Sequence, residues 1–254
     1  MLSKILPSSV KRWFHDFVFR IVRSNSRRIV KYILEDRHIQ EQLKARLESI
    51  EREDELFGDG VIFKNRTGLI EHALKQVPER LRNGLYLEFG VANGKSVNLI
   101  ARNIQTRVYG FDSFEGLPEK WVTGKYSSAV QGKHNRNKTL PKVELNVELV
   151  RGWFHDTVPG FLRDHPGPVA FVHVDSDLYE SARYIFSQLK LENETVIVFD
   201  EYFNFPAWKE GEYKAFQDFL TARGATARCI GYCPRSQQAA FVLSLNSEGA
   251  PAFA

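Results

Sequence analysis

Acidic side chains recur at the ends of apolar runs: Glu88 lies in Leu-Tyr-Leu-Glu-Phe, Asp112 closes Val-Tyr-Gly-Phe-Asp, Asp175 and Asp177 follow Phe-Val-His-Val, and Asp200 and Glu201 follow Val-Ile-Val-Phe. An apolar run that stops at a polar residue reads as a buried strand delivering that residue to its end. If the last two runs are neighbours, Asp175, Asp177, Asp200 and Glu201 share one rim. Such a group repels itself unless a cation or proton sits among it, and oxygen-only ligands select a hard ion such as magnesium. The plainer alternative is that Asp177 caps a helix beginning near Leu178 and Glu201 faces solvent.

The segment Glu88-Phe-Gly90-Val-Ala-Asn-Gly94-Lys-Ser96 has glycines four apart rather than the Gly-x-Gly-x-x-Gly spacing of a dinucleotide site. An acid ahead of them repels a pyrophosphate but suits an ammonium or sulfonium group. Asp112 follows Glu88 by 24 residues and opens Asp-Ser113-Phe; a carboxylate at that point can accept both hydroxyls of a ribose. Each motif alone is weak. Together, in this order, they point to an adenosine-type cofactor.

Strands that position these residues are expected at 85–89, 107–111, 147–151, 169–175 and 195–200, with helices at 95–103, 156–164, 178–190 and 211–223. The alternation predicts an α/β fold, a parallel sheet with helices on both faces and its ligand site beyond the carboxyl ends of the strands. Two last strands, 225–232 and 238–245, are joined by a short Pro-containing link. That link is too short for a helical crossover, so an antiparallel hairpin is expected at the sheet's end.

The chain has 254 residues, 43% of them apolar and 26% charged, enough for one sizeable domain with an accessory segment and unlike a disordered or fibrous chain. Its net charge of +4 is uneven: residues 1–50 hold eleven Lys or Arg against five Asp or Glu, leaving 24 against 26 in the rest. A nucleic-acid substrate is therefore not expected. No apolar stretch of spanning length and no secretory signal are evident, so a cytoplasmic location is expected. Cys229 and Cys233 are read as ordinary thiols.

Residues 1–60 read as a basic helical arm, 61–246 as the catalytic domain and 247–254 as a tail. In the arm Val10, Trp13, Phe14, Phe17 and Ile21 recur at helical spacing among basic residues. Such a stripe suits peripheral contact with an anionic membrane, or packing on the main domain or on a second subunit in a homodimer. A second, polar helix is expected over 31–55.

The segments 88–96, 108–121, 149–159, 171–181 and 196–219 resemble the macrocin O-methyltransferase family of S-adenosylmethionine-dependent sugar methyltransferases. The likeness rests above all on Gly-Phe-Asp-Ser-Phe-Glu-Gly-Leu-Pro and Asp-x-Asp-x-Tyr, and covers roughly 62–245. It implies a seven-stranded class I methyltransferase (Rossmann-like) fold, S-adenosylmethionine and Mg2+ as cofactors, and a sugar or glycoside acceptor. By the same resemblance Glu88, Gly90, Gly94 and Ser96 cradle the methionine part of the cofactor, Asp112 with Ser113 meets the ribose, and Gly152-Trp153 flanks the adenine. Asp175, Asp200 and Glu201 match the metal ligands, and Asp177 the general base. The last metal position is more typically Asp, so Glu201 departs from the family by one methylene.

An insertion at 115–145, rich in Gly, Lys and Asn, reads as an irregular lid. His134 within it is a candidate second base or substrate contact, or simply a solvated residue. His173, inside an apolar run, reads as a hydrogen-bonded core residue. The aromatic run from Tyr202 to Trp208 could wall an acceptor pocket or pack a loop. Three functions stay open: a magnesium-dependent sugar O-methyltransferase, a methyltransferase for a phenolic diol, and a non-catalytic cofactor-binding protein.

Overall fold

The computed structural model describes residues 35–245. The stripe from Val10 to Ile21 and the tail 247–254 lie outside the described residues. Helix α1 (Arg37–Glu51) begins where the Asp36 carboxylate accepts the N–H groups of His38 and Ile39. It breaks at Arg52, and α2 (Glu53–Phe57) stops at Gly58, φ 49°. The single helix expected over 31–55 is thus two.

Beyond it follow β1 (Val61–Ile62), α3 (Arg66–Lys75), β2 (Leu85–Phe89), α4 (Lys95–Arg102), β3 (Val108–Asp112), β4 (Trp121–Gly124), β5 (Ser127–Ala129), β6 (Val147–Arg151) and α5 (Phe154–Asp164). The chain continues through β7 (Val169–Val174), α6 (Tyr179–Gln188), β8 (Leu191–Phe199), α7 (Glu212–Arg223), β9 (Thr226–Cys233) and β10 (Gln238–Ser244). The main sheet has the order β1-β9-β10-β8-β7-β2-β3-β6. Strands β8, β7, β2, β3 and β6 run parallel, and β10 pairs antiparallel with both β8 and β9. The seven expected strands are present; the two-residue β1, parallel to β9, adds an eighth at the edge.

Period-two alternation divides the core between the two faces. On β7 and β8, Val172, Val174, Ile197 and Phe199 pack with Phe161, Phe186 and Phe216 from α5, α6 and α7. Their neighbours Phe171, Val196 and Val198 pack on the other face with Leu69, Ile70, Val97 and Ile100 from α3 and α4. Burial on both faces explains why these strands read as continuous apolar runs.

The insertion is more ordered than its sequence suggests: β4 and β5 pair as a small separate antiparallel sheet. Glu41 of α1 accepts the N–H groups of Lys125 and Tyr126 at the hairpin's turn, at 2.7 and 3.3 Å. Ala207 N–H donates to the Thr123 carbonyl, and the Trp121 ring meets Phe205 edge-on. Among the described residues no helix is long and apolar enough to cross a membrane.

Candidate active site

Strand order reverses between β2 and β7, since the chain proceeds from β2 to β3 on one side and later from β7 to β8 on the other. A crevice opens at such a switch point, beyond the strands' carboxyl ends. Here it is a cavity of about 840 Å³. Gly90, Ser96, Asp112, Ser113, Gly152 and Trp153 line one part of it. Asp175, Asp177, Asp200 and Glu201 line another, with His134 and Lys133 from the insertion.

Glu88 and Gly94 lie behind this wall. Glu88 is fully buried; its Oε1 accepts the Ser96 hydroxyl and meets His173 Nδ1 at 3.3 Å, while its Oε2 has no partner. His173, also fully buried, is the hydrogen-bonded core residue that its apolar setting suggests. Gly94 precedes α4 in the left-handed region, φ 79°.

The glycine loop depends on two close fits. Gly90 has φ 98°, and a Cβ there would come 1.7 Å from the Asp175 carbonyl oxygen. Gly90→Ala is therefore expected to cost more than about 3 kcal/mol of stability, measured by denaturant unfolding; an unchanged midpoint would mean that the two turns separate freely. Asp112 supplies the second fit. Its Oδ2 accepts the N–H groups of Val91 and Ala92 at 2.9 and 2.7 Å, and its Oδ1 that of Phe114 at 2.6 Å. The candidate ribose acid thus ties the loop after β2 to the end of β3.

At the opposite rim, Asp175, Asp200 and Glu201 each place one carboxylate oxygen within 4.8 Å of the others. Glu201 is half-buried and lines the cavity, and its Oε2 is buried and has no partner. Withdrawal from water, and next the charge of Asp200, hold the Asp175 and Glu201 carboxyls well above the usual range. Asp200 is paired: Arg66 Nη2 lies 3.0 and 3.2 Å from its two oxygens, and Gln238 donates to Oδ1.

Asp177 is 7% exposed and adopts φ 61°. It does not cap the following helix: the residue at the cap is Leu178, and no side chain bonds the helix's first N–H groups. Burial pushes its carboxyl up to about 6, against the nearby charge of Lys133, which favours the ionised form. Desolvation and the charge of Lys133 shift His134 below its ordinary value, favouring the neutral ring. Lys133 Nζ sits over the Trp121 ring, 5.0 Å from its centre.

The aromatic run belongs to the core instead of walling the cavity. Tyr202, Phe203, Phe205 and Trp208 are all at most 5% exposed: Tyr202 meets Phe216 and Phe241, Phe203 meets Phe57 and Tyr232, Phe205 meets Trp121, and Trp208 meets Tyr213. Arg66 and Glu212 are the site residues that sequence patterns miss. Arg66 opens α3, before the motif-bearing strands, and Glu212 opens α7, where an acid reads as an ordinary partner of the helix dipole.

A strand order of this type, with antiparallel C-terminal strands, is the α/β fold of class I methyltransferases. Residues 87–202 match the family described as a methyltransferase domain. No curated protein matches the chain. Among solved structures it is similar to the O-methyltransferase NovP, at 22% identity over 70% of this chain and 78% of that one, TM-score 0.49. It is similar also to CalS11, a TDP-rhamnose 3′-O-methyltransferase of calicheamicin biosynthesis, at 22% identity over 80% and 92%, TM-score 0.49. A third is an O-methyltransferase from Bacillus cereus in complex with SAH, at 16% identity over 85% and 96%, TM-score 0.43.

Proposed function

We propose that this chain is an S-adenosylmethionine-dependent methyltransferase that transfers the methyl group to a hydroxyl of a sugar or glycoside bearing a neighbouring hydroxyl, with Mg2+ held by Asp175, Asp200 and Glu201. The observation that carries this reading is the trio of converging carboxylates beside Asp177 in one cavity. An unpartnered buried oxygen on Glu201 and the raised protonation of Asp175 and Glu201 mark a donor set short of positive charge. Hard oxygen donors of this kind suit magnesium. The resemblance of Asp175-x-Asp177-x-Tyr179 and its companion motif to macrocin O-methyltransferases favours a sugar over other diols.

Methyl transfer from a sulfonium is an in-line displacement: an acceptor O–C bond forms as the S–C bond breaks, and the hydroxyl proton must leave. Most of the work is positioning. Gly90 lets the first turn approach closely, and the wall from Asp112 to Trp153 offers the cofactor a polar cradle. Asp177 accepts the hydroxyl proton at its carboxylate. The chemistry supplied once Mg2+ is bound is the holding of two adjacent acceptor oxygens and the stabilisation of the charge growing on one.

Labelled methyl transfer to a panel of glycosides with vicinal hydroxyls, beside catechols and singly hydroxylated analogues, tests this reading. Magnesium-dependent labelling of the glycosides is expected. Preference for catechols would move the acceptor to phenolic diols, and labelling indifferent to EDTA would remove the metal.

Arg66 bears on the same site. It shares Asp200 with any cation bound there, so removing its competing charge in Arg66→Gln is expected to tighten Mg2+ binding about threefold, read by calorimetry. Weaker binding would show instead that Arg66 orients Asp200 for the ion.

A further inference from the structure

Glu212 is 1% exposed, yet it is the first residue of α7, where an acid normally projects into water. Burying a carboxylate is costly unless donors surround it. Its Oε1 accepts the Ser176 N–H at 2.8 Å, the Ser176 hydroxyl at 3.3 Å and the Asp177 N–H at 3.2 Å. The Glu201 peptide N–H also favours its charged form. Its Oε2 is buried and unpartnered.

These donors come from the turns that carry the chemistry. The Ser176 N–H belongs to the peptide joining Asp175 to Ser176, so fixing it fixes the backbone behind one candidate metal ligand. The Asp177 N–H belongs to a residue at φ 61°, a conformation costly for a side chain other than glycine and sustained only where surroundings impose it. An apolar residue here would leave the Ser176 and Asp177 N–H groups buried without an acceptor. What the acid adds is acceptor geometry at the end of β7, beside the end of β8.

We infer that Glu212 is a positioning residue, its carboxylate fixing the Asp175-Ser176-Asp177 turn so that the cation ligand and the base face the cavity together. This rests on the cation site proposed above. Glu212 touches neither acceptor nor cofactor and acts through the backbone it holds.

Calorimetric titration of the full chain with Mg2+, in the presence of S-adenosylmethionine, separates reach from charge. Glu212→Gln keeps an acceptor oxygen at the same reach, and its Mg2+ affinity should stay within about threefold of the parent. Glu212→Asp keeps the charge but withdraws it by one methylene, and should lose about 10- to 100-fold. Affinity for S-adenosylmethionine should be unchanged in both. Glu212→Leu, if it folds, should resemble the Asp variant; should it not, the Gln and Asp pair decides alone. The opposite ranking, with Gln weak and Asp intact, would make Glu212 a mere source of negative charge and overturn the inference. Equal affinity in all variants would overturn it too. No Mg2+ uptake by the parent chain would overturn the cation site itself, and the inference with it.

Discussion

Asp177→Asn is expected to lower turnover about 10³-fold, within the range that general-base catalysis contributes, while binding of S-adenosylmethionine and Mg2+ stays within about threefold of the parent. The substitution keeps the size of the side chain and one acceptor oxygen, so the φ 61° turn and its bonds to Glu212 can persist. What it removes is the ability to take a proton. His134 lines the same cavity, with desolvation and the charge of Lys133 shifting its ring toward the neutral form. Single-turnover methyl transfer with saturating cofactor, beside calorimetry for both ligands, separates chemistry from binding. Normal turnover in the Asn variant would transfer the base role away from Asp177; parallel loss of cofactor binding would make Asp177 a structural residue of the turn.

Withdrawal of the divalent cation should have the second large effect. EDTA is expected to reduce turnover about 10²-fold or more, because several kcal/mol of charge stabilisation is lost from the transition state. The same treatment should alter stability in a pH-dependent way. Asp177 has its carboxyl raised from 3.8 to about 6, so between those values the folded chain holds a proton that the unfolded chain releases. Stability of the cation-free chain therefore falls as pH rises through that window, and the penalty is fully present above it. Asp175 and Glu201 shift in the same direction. A bound cation offsets the repulsion, so Mg2+ should raise the melting temperature more at pH 7.5 than at pH 5. An equal rise at both pH values would show that the carboxylates do not face the ion.

The sheet was legible because its strands are buried on both faces and end in polar residues. Expected and observed limits agree at β2 and β6 and differ by one residue at β3 and β7. Strand β8 starts at Leu191, four residues before the expected start at 195. The polar stretch is drawn into the sheet because Leu191 pairs with Val169 and the Thr195 hydroxyl donates to the Val169 carbonyl. Nothing in local pattern announces β1, which is two exposed residues, or the β4–β5 hairpin, whose strands are short and held by Glu41 from a distant helix.

At the site, residue type and strand-end position brought out Asp175, Asp177, Asp200 and Glu201, which the structure brings to one rim. Those signals do not report depth. Glu88 stands out in the sequence as sharply as Asp112, yet lies behind the loop, bonded to Ser96 and His173. Arg66 and Glu212 are invisible for a different reason: each reaches the rim from the first turn of a helix far along the chain, by tertiary packing alone.

The most direct test of cation-assisted methyl transfer is calorimetric titration of the full chain with Mg2+, with and without S-adenosylmethionine, in parallel with Asp200→Asn and with NAD as a control ligand. One Mg2+ per chain is expected, lost or weakened at least tenfold in the variant, with S-adenosylmethionine bound by both proteins and NAD by neither. Absence of Mg2+ uptake with cofactor present, or equal uptake by parent and variant, would contradict it.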